Sequence, residues 1–342
     1  MTVPWPVFFV FAACTDPAHE VDTAASDTAA PDDTSTLEEI DADGDGAPVW
    51  WTARDPAQAD CDDDDPAVTP STEVYVPAGP FTRGRESVPW AEPVRAITLT
   101  AYCIDRTEVT NEAFLALLVA REAEGAPNTD DGGQPLYDVD DNDDIYPQRL
   151  GFADGAWSIE DDYATHPVVE VWWWSAAYYC ARDGRTLPTE AQWEKAARGG
   201  DGDARIWPWG DARPTCARAN FVDVPDGTNP ADHAGCVGDT TPVDAYPDGA
   251  SAYGAMDMAG NVAEWVSDWF DPDAYASGPD VEPTGPAEGQ TFDDGVGTYV
   301  ARVARGGNFL QGPGELAVSA RFPEPFDATS NGLGFRCVRP LE

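Results

Sequence analysis

The sequence has little positive charge. Lysine and arginine together number 19 against 63 aspartate and glutamate residues, which gives a formal net charge of -44, and Lys195 is the only lysine. Because like charges repel, this balance argues against nucleic acid or an anionic lipid surface as a partner. It fits divalent metal binding, high-salt surroundings or solubility, and composition does not choose among them.

The sequence also lacks the usual motifs of zinc and redox sites. No C-x-x-C occurs, and the three histidines, His19, His166 and His233, are far apart. A zinc or dithiol site therefore has little support. No histidine has a convincing serine or cysteine companion in sequence, so we predict no catalytic residue from a nucleophile and base pair.

A long apolar run is missing at the amino terminus. The run from Val3 to Ala13 is too short to span a bilayer and ends directly before Cys14. It resembles a lipoprotein signal with an acylated cysteine, although no basic residue precedes it and Phe11 stands where such signals usually have leucine. A chance apolar start is the alternative. We predict a signal over 1–14, lipidation of Cys14, and a location outside the cytoplasm, as an outer-membrane lipoprotein or a secreted protein.

Residues 15–72 are dominated by acidic residues, with Arg54 as the only Lys or Arg among them. Such a composition cannot bury enough apolar surface to form a core. We therefore predict a tether, kept extended by charge repulsion, that holds the following domain away from a membrane.

Two aspartate-rich motifs lie within this tether. Alternating carboxylates can converge on one cation, and the glycine after the first motif allows a sharp turn. An EF-hand would need a glutamate where Thr52 stands, so short calcium repeats are the closer likeness, and a solvated acidic linker is the alternative. The predicted calcium ligands are Asp41, Asp43, Asp45, Asp60, Asp62 and Asp64.

The predicted globular domain covers residues 73–342. A strand begins near Val74, and helices are expected from Thr110 to Arg121, from Trp174 to Ala181, and after a cap at Pro188 or Thr189. Gly and Pro, 31 of each, break up the remainder, which predicts an α+β class with few regular elements and long ordered loops.

Several separated blocks then match one family in order. The chain resembles the formylglycine-generating enzyme family, also called the sulfatase-modifying factor domain, which implies a C-type-lectin-like fold. The blocks are VPAGPFTRG (76–84), CIDRTEVTNEAF (103–114), HPVVEVWWWSAAYYCARDGRTLPTEAQWEKAARGG (166–200), WPWG (207–210), PVDAYPDGASAYGAMDMAGNVAEWVSDWF (242–270), ARGGNF (304–309) and GFRCVRP (334–340).

The resemblance implies structural calcium sites. One would use Asn261 and Glu264, and a second would use Asn220, although its expected aspartate has no clean equivalent near Gly235. The alternative for Glu264 is a buried acid bonded to backbone amides.

The resemblance also implies a disulfide between Cys180 and Cys337. Cys216 and Cys236 enclose a loop rich in Gly, Pro and Asp, and we predict a second bridge that pins this segment. Cys61 and Cys103 are left either paired or free.

The chain departs from the family at its reaction centre. The family's copper is held by two cysteines, and the matching positions here are Gln311 and, approximately, Leu316. We therefore expect no copper. The favoured function is a non-catalytic module that presents an aromatic groove to a peptide, glycan or protein. Since neighbours in a strand face opposite sides, one of Trp172 to Trp174 could be a contact residue, but packing of these rings in the core is the preferred interpretation. An enzyme of this family with altered chemistry, such as an oxidase of a target cysteine, is the alternative.

Overall fold

The computed structural model describes residues 43–45, 47, 59–62, 64–65, 67–139, 148–224, 234–293, 295 and 297–341. The predicted signal, Cys14 and Asp41 lie outside these residues. Within the described part of the chain, no helix is long and apolar enough to cross a membrane.

The described residues form short strands separated by long loops, with few helices. The helices are α1 (Asn111–Ala123), α2 (Trp173–Ala181), α3 (Glu190–Arg198) and α4 (Ala274–Ser277). The strands are β1 (Glu73–Val76), β2 (Gly79–Arg83), β3 (Arg95–Leu99), β4 (Tyr102–Asp105), β5 (Leu150–Ala153), β6 (Ala156–Ile159), β7 (Ala263–Trp269), β8 (Thr291–Asp293), β9 (Thr298–Arg305), β10 (Phe322–Pro325), β11 (Leu333–Phe335) and β12 (Val338–Pro340).

Side-chain caps fix the starts of two helices. The Thr110 hydroxyl accepts the Ala113 N–H before α1, and Thr189 and Gln192 form a reciprocal capping box at α3. Both starts agree with the sequence prediction. The second helix begins at Trp173, one residue earlier than expected.

The central sheet has the strand order β10-β9-β7-β11, with β8 paired to β9, and β7 runs parallel to β11. Neighbouring residues of a strand face opposite sides. Accordingly, Val266 of β7 packs in one apolar cluster with Trp193, and Trp265 packs in another with Phe114 and Phe335. The sheet therefore has core on both faces, and the α+β prediction is confirmed.

Three disulfides tie the loops to this framework. Cys180 pairs with Cys337 and Cys216 with Cys236, which are the pairings that the sequence analysis expected. The third bridge joins Cys61 to Cys103 of β4 and settles the question of their pairing. The end of the acidic segment is thus covalently attached to the fold.

Lys195 lies in α3 and is buried, with 1% of its surface exposed. Its Nζ donates to the carbonyl oxygens of Pro77 (2.6 Å) and Gly79 (3.0 Å). Burial disfavours its charged form and lowers the pKa of Lys195 to about 8. The only lysine therefore connects α3 to the turn between β1 and β2.

Candidate functional site

The segment that the resemblance aligns with the family's copper site begins directly after β9. Gly306 and Gly307 adopt positive φ angles of 89° and 70°, and a Cβ on Gly307 would lie 2.9 Å from the Glu315 carbonyl oxygen. Gln311 Oε1 accepts the Asn308 N–H at 3.0 Å, and Leu316 is fully buried. The two positions assigned to copper cysteines thus hold an amide that closes the loop and a core leucine.

The cysteines in the described part of the chain are not available as thiolates. All six described cysteines are bonded to one another in the three disulfides. Thiolate sulfur is the ligand that selects Cu(I) in proteins. No copper ligand pair of this kind therefore occurs in the part of the chain that the structure describes.

Buried ion pairs hold the same segment against α3. Arg305 donates to Glu194 Oε2 (2.7 Å) and to the carbonyl oxygens of Val318 (2.6 Å) and Ala320 (2.7 Å). Burial alone would raise the pKa of Glu194, but Arg198 and Arg305 outweigh it and lower this pKa to about 2. The carboxylate stays charged and keeps its partners in place.

Arg321 forms the base of an open groove. Its guanidinium makes a bidentate pair with Glu190 (2.6 and 2.8 Å) and donates to the Trp90 carbonyl oxygen (2.8 Å). It therefore joins α3 to the segment before β3. The sequence analysis missed Arg321, and its signal lay only in the spacing from the ARGGNF block.

We call this opening the Trp90 groove. Its volume is about 510 Å³, and one side consists of residues 85–90 and the other of residues 314–322. The lining residues are Arg85, Glu86, Ser87, Val88, Pro89, Trp90, Gly314, Glu315, Ala317, Ala320, Arg321 and Phe322. Apolar groups and both signs of charge therefore meet in one opening that includes residues 314–322, directly after Gln311.

Trp90 is unusual in both exposure and backbone conformation. The residue is 38% exposed, and its ring packs edge-on against Phe270 (5.3 Å) and Phe292 (5.7 Å). Its φ of 61° lies in the left-handed region, which is rare and strained for a bulky side chain. Such strain persists only where surrounding contacts enforce it, here including the hydrogen bond from Arg321.

The tryptophan run at 172–174 forms a separate half-buried aromatic face. The rings of Trp172 and Trp174 stack at 5.3 Å, and the Arg302 guanidinium lies between Trp173 (3.5 Å) and Trp269 (3.4 Å). Trp173 and Trp174 donate their indole N–H groups to backbone carbonyls. All three rings are thus only partly accessible.

The predicted calcium residues Asn261 and Glu264 are already hydrogen-bonded. Glu264 forms a bidentate pair with Arg336 (2.7 Å twice) and accepts the Trp193 indole N–H at 2.8 Å. Asn261 Oδ1 accepts the Thr241 N–H at 2.9 Å. Neither residue offers a cation an unbonded oxygen in this arrangement, so calcium there stays a prediction.

Asn220 and Asp257, an acid that the sequence analysis missed, offer more suitable oxygens. Asn220 Oδ1 and Asp257 Oδ2 are buried and accept no hydrogen bond in the described structure. Burial and Glu264 raise the pKa of Asp257 to about 8 against the opposing effect of Arg336. Glu108, a second buried acid that the sequence analysis missed, accepts the Asn261 amide N–H at 2.7 Å and the Val262 N–H at 3.1 Å, so both of its oxygens are already bonded. Three carboxyl groups, those of Glu108, Asp257 and Glu264, thus lie near a single arginine, Arg336.

The structure brings three of the predicted aspartates together. Ligand oxygens of Asp43, Asp45 and Asp60 lie within 4.8 Å of one another. Asp62 instead pairs with Arg339 at 2.9 Å, and Asp64 is exposed outside the cluster. Residues from both aspartate-rich motifs therefore contribute to one possible cation site.

Comparison with known proteins points to one family. A sequence profile of the sulfatase-modifying factor enzyme 1-like domain matches residues 58–341. The formylglycine-generating enzyme of Streptomyces coelicolor is 34% identical over 323 residues, which cover 84% of this chain and 96% of that protein.

A second group of relatives is larger. The serine/threonine-protein kinase Pkn1 of Chlamydia trachomatis is 34% identical over 273 residues, or 79% of this chain, and the matched part is 38% of that protein's length. This chain thus spans about two fifths of the kinase relatives it matches.

Solved structures agree with the fold. PvdO from Pseudomonas aeruginosa matches with a TM-score of 0.54 and 22% identity over 79% of this chain and 94% of that one. A protein described as CarF matches with a TM-score of 0.50 and 21% identity over 79% and 98%. The architecture described above is that of these proteins.

Proposed function

Because the chain belongs to the sulfatase-modifying factor family, we propose that its domain is a non-catalytic binding module that receives a peptide segment of another protein in the Trp90 groove. The proposal is supported by Gln311 and Leu316, which the resemblance places, the second approximately, at the positions of the copper cysteines, and by the groove that lies beside them. Neither residue is a good ligand for Cu(I). The adjacent Trp90 groove is braced by the bidentate pair of Arg321 with Glu190.

The groove fits a polypeptide better than a polyanion. It combines an exposed aromatic ring with Arg85, Glu86 and Glu315, so it offers partners to apolar, acidic and basic groups. The net charge of -44 repels acidic partners over distances of several Ångström. We expect an extended segment with an apolar residue near Trp90 and basic residues on either side of it.

Selection of phage-displayed random peptides on the full chain tests this function. Enriched peptides should share an apolar residue with basic neighbours and bind Trp90→Ala at least about tenfold more weakly, since central aromatic residues dominate binding energies. Phe152→Ala is the matched control, because Phe152 is 45% exposed and does not line the groove. Equal binding to the wild type and Trp90→Ala would rule out the groove.

Reconstitution with Cu(I) tests the alternative enzyme. The binding module should take up no stoichiometric copper and consume no oxygen with a cysteine peptide. Tight copper binding together with aldehyde formation on that peptide would show an oxidase and end the non-catalytic proposal.

Export and lipid anchoring at Cys14 complete the proposed function. Three disulfides favour an oxidising compartment, since cytosolic thiols are kept reduced. Metabolic labelling with a palmitate analogue should mark the wild type and not Cys14→Ser, which should be released from the envelope. Labelling of the variant would contradict the anchor.

We propose that Asp43, Asp45 and Asp60 are ligands of one calcium ion. Hard cations prefer clustered carboxylate oxygens, and these three converge from two motifs. Asp45 Oδ2 is buried and has no hydrogen-bond partner in the described structure, which supports an ion at this place.

A further inference from the structure

Arg83, at the end of β2, is a buried cation that lacks hydrogen-bond acceptors. The residue is 4% exposed, and its Nε and Nη2 atoms are buried without a hydrogen-bond partner in the described structure. Its guanidinium carbon lies 4.1 Å from the centre of the Tyr275 ring. An arginine stays charged when buried, and charged donors without an acceptor are strongly unfavourable there. An acceptor is therefore missing from this place.

The neighbouring Arg95, by contrast, has acceptors for its guanidinium N–H groups. Arg83 and Arg95 are directly paired in the β2–β3 register. Arg95 donates to the carbonyl oxygens of Tyr275 and Gly278, each at 2.8 Å, and pairs with Asp280. The helix α4 and the loop after it thus supply acceptors to Arg95 and none to Arg83.

Arg83 lines a cavity of about 220 Å³, well above the roughly 10–15 Å³ that one water needs. Acidic, polar and apolar groups complete the wall, among them Asp268, Ser277, Pro279, Pro283 and Pro286. The cavity shares no lining residue with the Trp90 groove. Glu190 also lines it, but both of its oxygens accept from Arg321.

Asp268 and Asp271 provide the opposite charge in this cavity, and Asp268 is the more buried of the two. Its Oδ2 accepts the Glu190 N–H (2.8 Å) and the Ser267 hydroxyl (3.1 Å), and the described structure shows no ion pair between Asp268 and Arg83 within 4.0 Å. Burial, and secondarily Glu190, raise the pKa of Asp268 to about 7. A cation beside it would favour the charged form.

We infer that this cavity binds a small zwitterion of the amino-acid class, with its carboxylate on Arg83 and its ammonium group on Asp268. The planar guanidinium matches a carboxylate in bidentate geometry. A simple anion would meet the acidic wall, and a simple cation would meet Arg83, whereas a zwitterion satisfies both.

Calorimetry on the full chain at about pH 8, above the pKa of Asp268, tests this site with three probes. L-Alanine should bind saturably, and acetate and ethylammonium at least about tenfold more weakly, because each lacks one charged contact. Arg83→Met should lose alanine binding by at least about tenfold. Arg182→Met, which removes an exposed arginine elsewhere, should keep it.

If Arg83→Met does not fold, Asp268→Asn replaces it. This variant removes the ammonium partner, so alanine binding should weaken at least about tenfold while acetate binding does not. Equal affinity for alanine and acetate would overturn the zwitterion assignment. No saturable alanine binding at millimolar concentration, or binding retained by Arg83→Met, would show that water alone fills the cavity.

Discussion

At the scale of single residues, buried arginines replace much of the regular structure that this fold lacks. Arg305, Arg321 and Arg336 are each buried and each pair with a glutamate of α3 or β7. A buried pair is weak evidence for stability, but breaking one partner leaves an uncompensated charge. These pairs therefore fix the positions of the segments that carry them.

Glu194→Gln tests this network. The change removes the carboxylate that Arg198 and Arg305 share and leaves Arg305 only its longer contact with Glu190 (3.3 Å), so we expect a loss of about 3–5 kcal/mol in the free energy of unfolding at pH 7, measured with urea. The folded pKa of about 2 lies below the ordinary 4.5, so this contribution is complete above pH 4.5 and is lost as the pH falls toward 2.

The difference between Glu194→Gln and the wild type should therefore shrink in acid. Glu124→Gln, in an exposed pair with Arg182, should show no comparable loss at any pH. A difference that stays constant from pH 7 to pH 3 would disprove the electrostatic cause.

Trp90 offers a test of backbone strain. With φ at 61°, a glycine is favoured over any residue with a Cβ, so Trp90→Gly should unfold at a free energy about 1 kcal/mol above that of Trp90→Ala. Both variants lose the same ring contacts. The difference between their free energies of unfolding in urea therefore reports the cost of the backbone conformation. A more stable alanine variant would show that the left-handed conformation is not enforced.

At the scale of elements, the sequence predicts helices well where side chains cap them. Thr110 and Thr189 are recognisable because their hydroxyls satisfy backbone N–H groups only a few residues away. The partner of Glu264 was not predictable, because Arg336 lies far along the chain and meets it only through the parallel pairing of β7 with β11. Local patterns identify local contacts, and the candidate site is made of distant ones.

The groove was invisible in sequence for the same reason. Residues 85–90 carry no motif. The hydrogen bond from Arg321, more than two hundred residues later in the chain, holds them beside residues 314–322. The acidic motifs were recognisable, but the spacing could not show that Asp62 pairs with Arg339 and leaves Asp60 to join Asp43 and Asp45.

The acidic segment gives a prediction about metal removal. Calcium should raise the melting temperature of the full chain, and a chelator should reverse the rise, because an ion bound only to the folded state stabilises it. Asp60→Asn should abolish this response. Asp64→Asn is the matched control, since Asp64 belongs to the same motif but lies outside the cluster. Equal effects of the two changes would contradict a site at Asp60.

At the scale of the whole molecule, a formal charge of -44 opposes compaction. Raising NaCl from about 0.1 M to about 1 M shortens the screening length from about 10 Å to about 3 Å, so the melting temperature should rise. The experiment is done with chelator present, which separates screening from calcium binding. A melting temperature that falls with added salt would show that specific ion pairs outweigh the general repulsion.

The burial of Lys195 has a consequence for chemical labelling. Apart from the chain's own amino terminus, the described fold presents no primary amine to solvent, because the single Nζ is held by two carbonyl oxygens. Amine-reactive dyes and cross-linkers should therefore leave the native domain unmodified at Lys195 and react there only once the chain opens. The rate of acylation at Lys195 Nζ therefore measures how often the native domain opens.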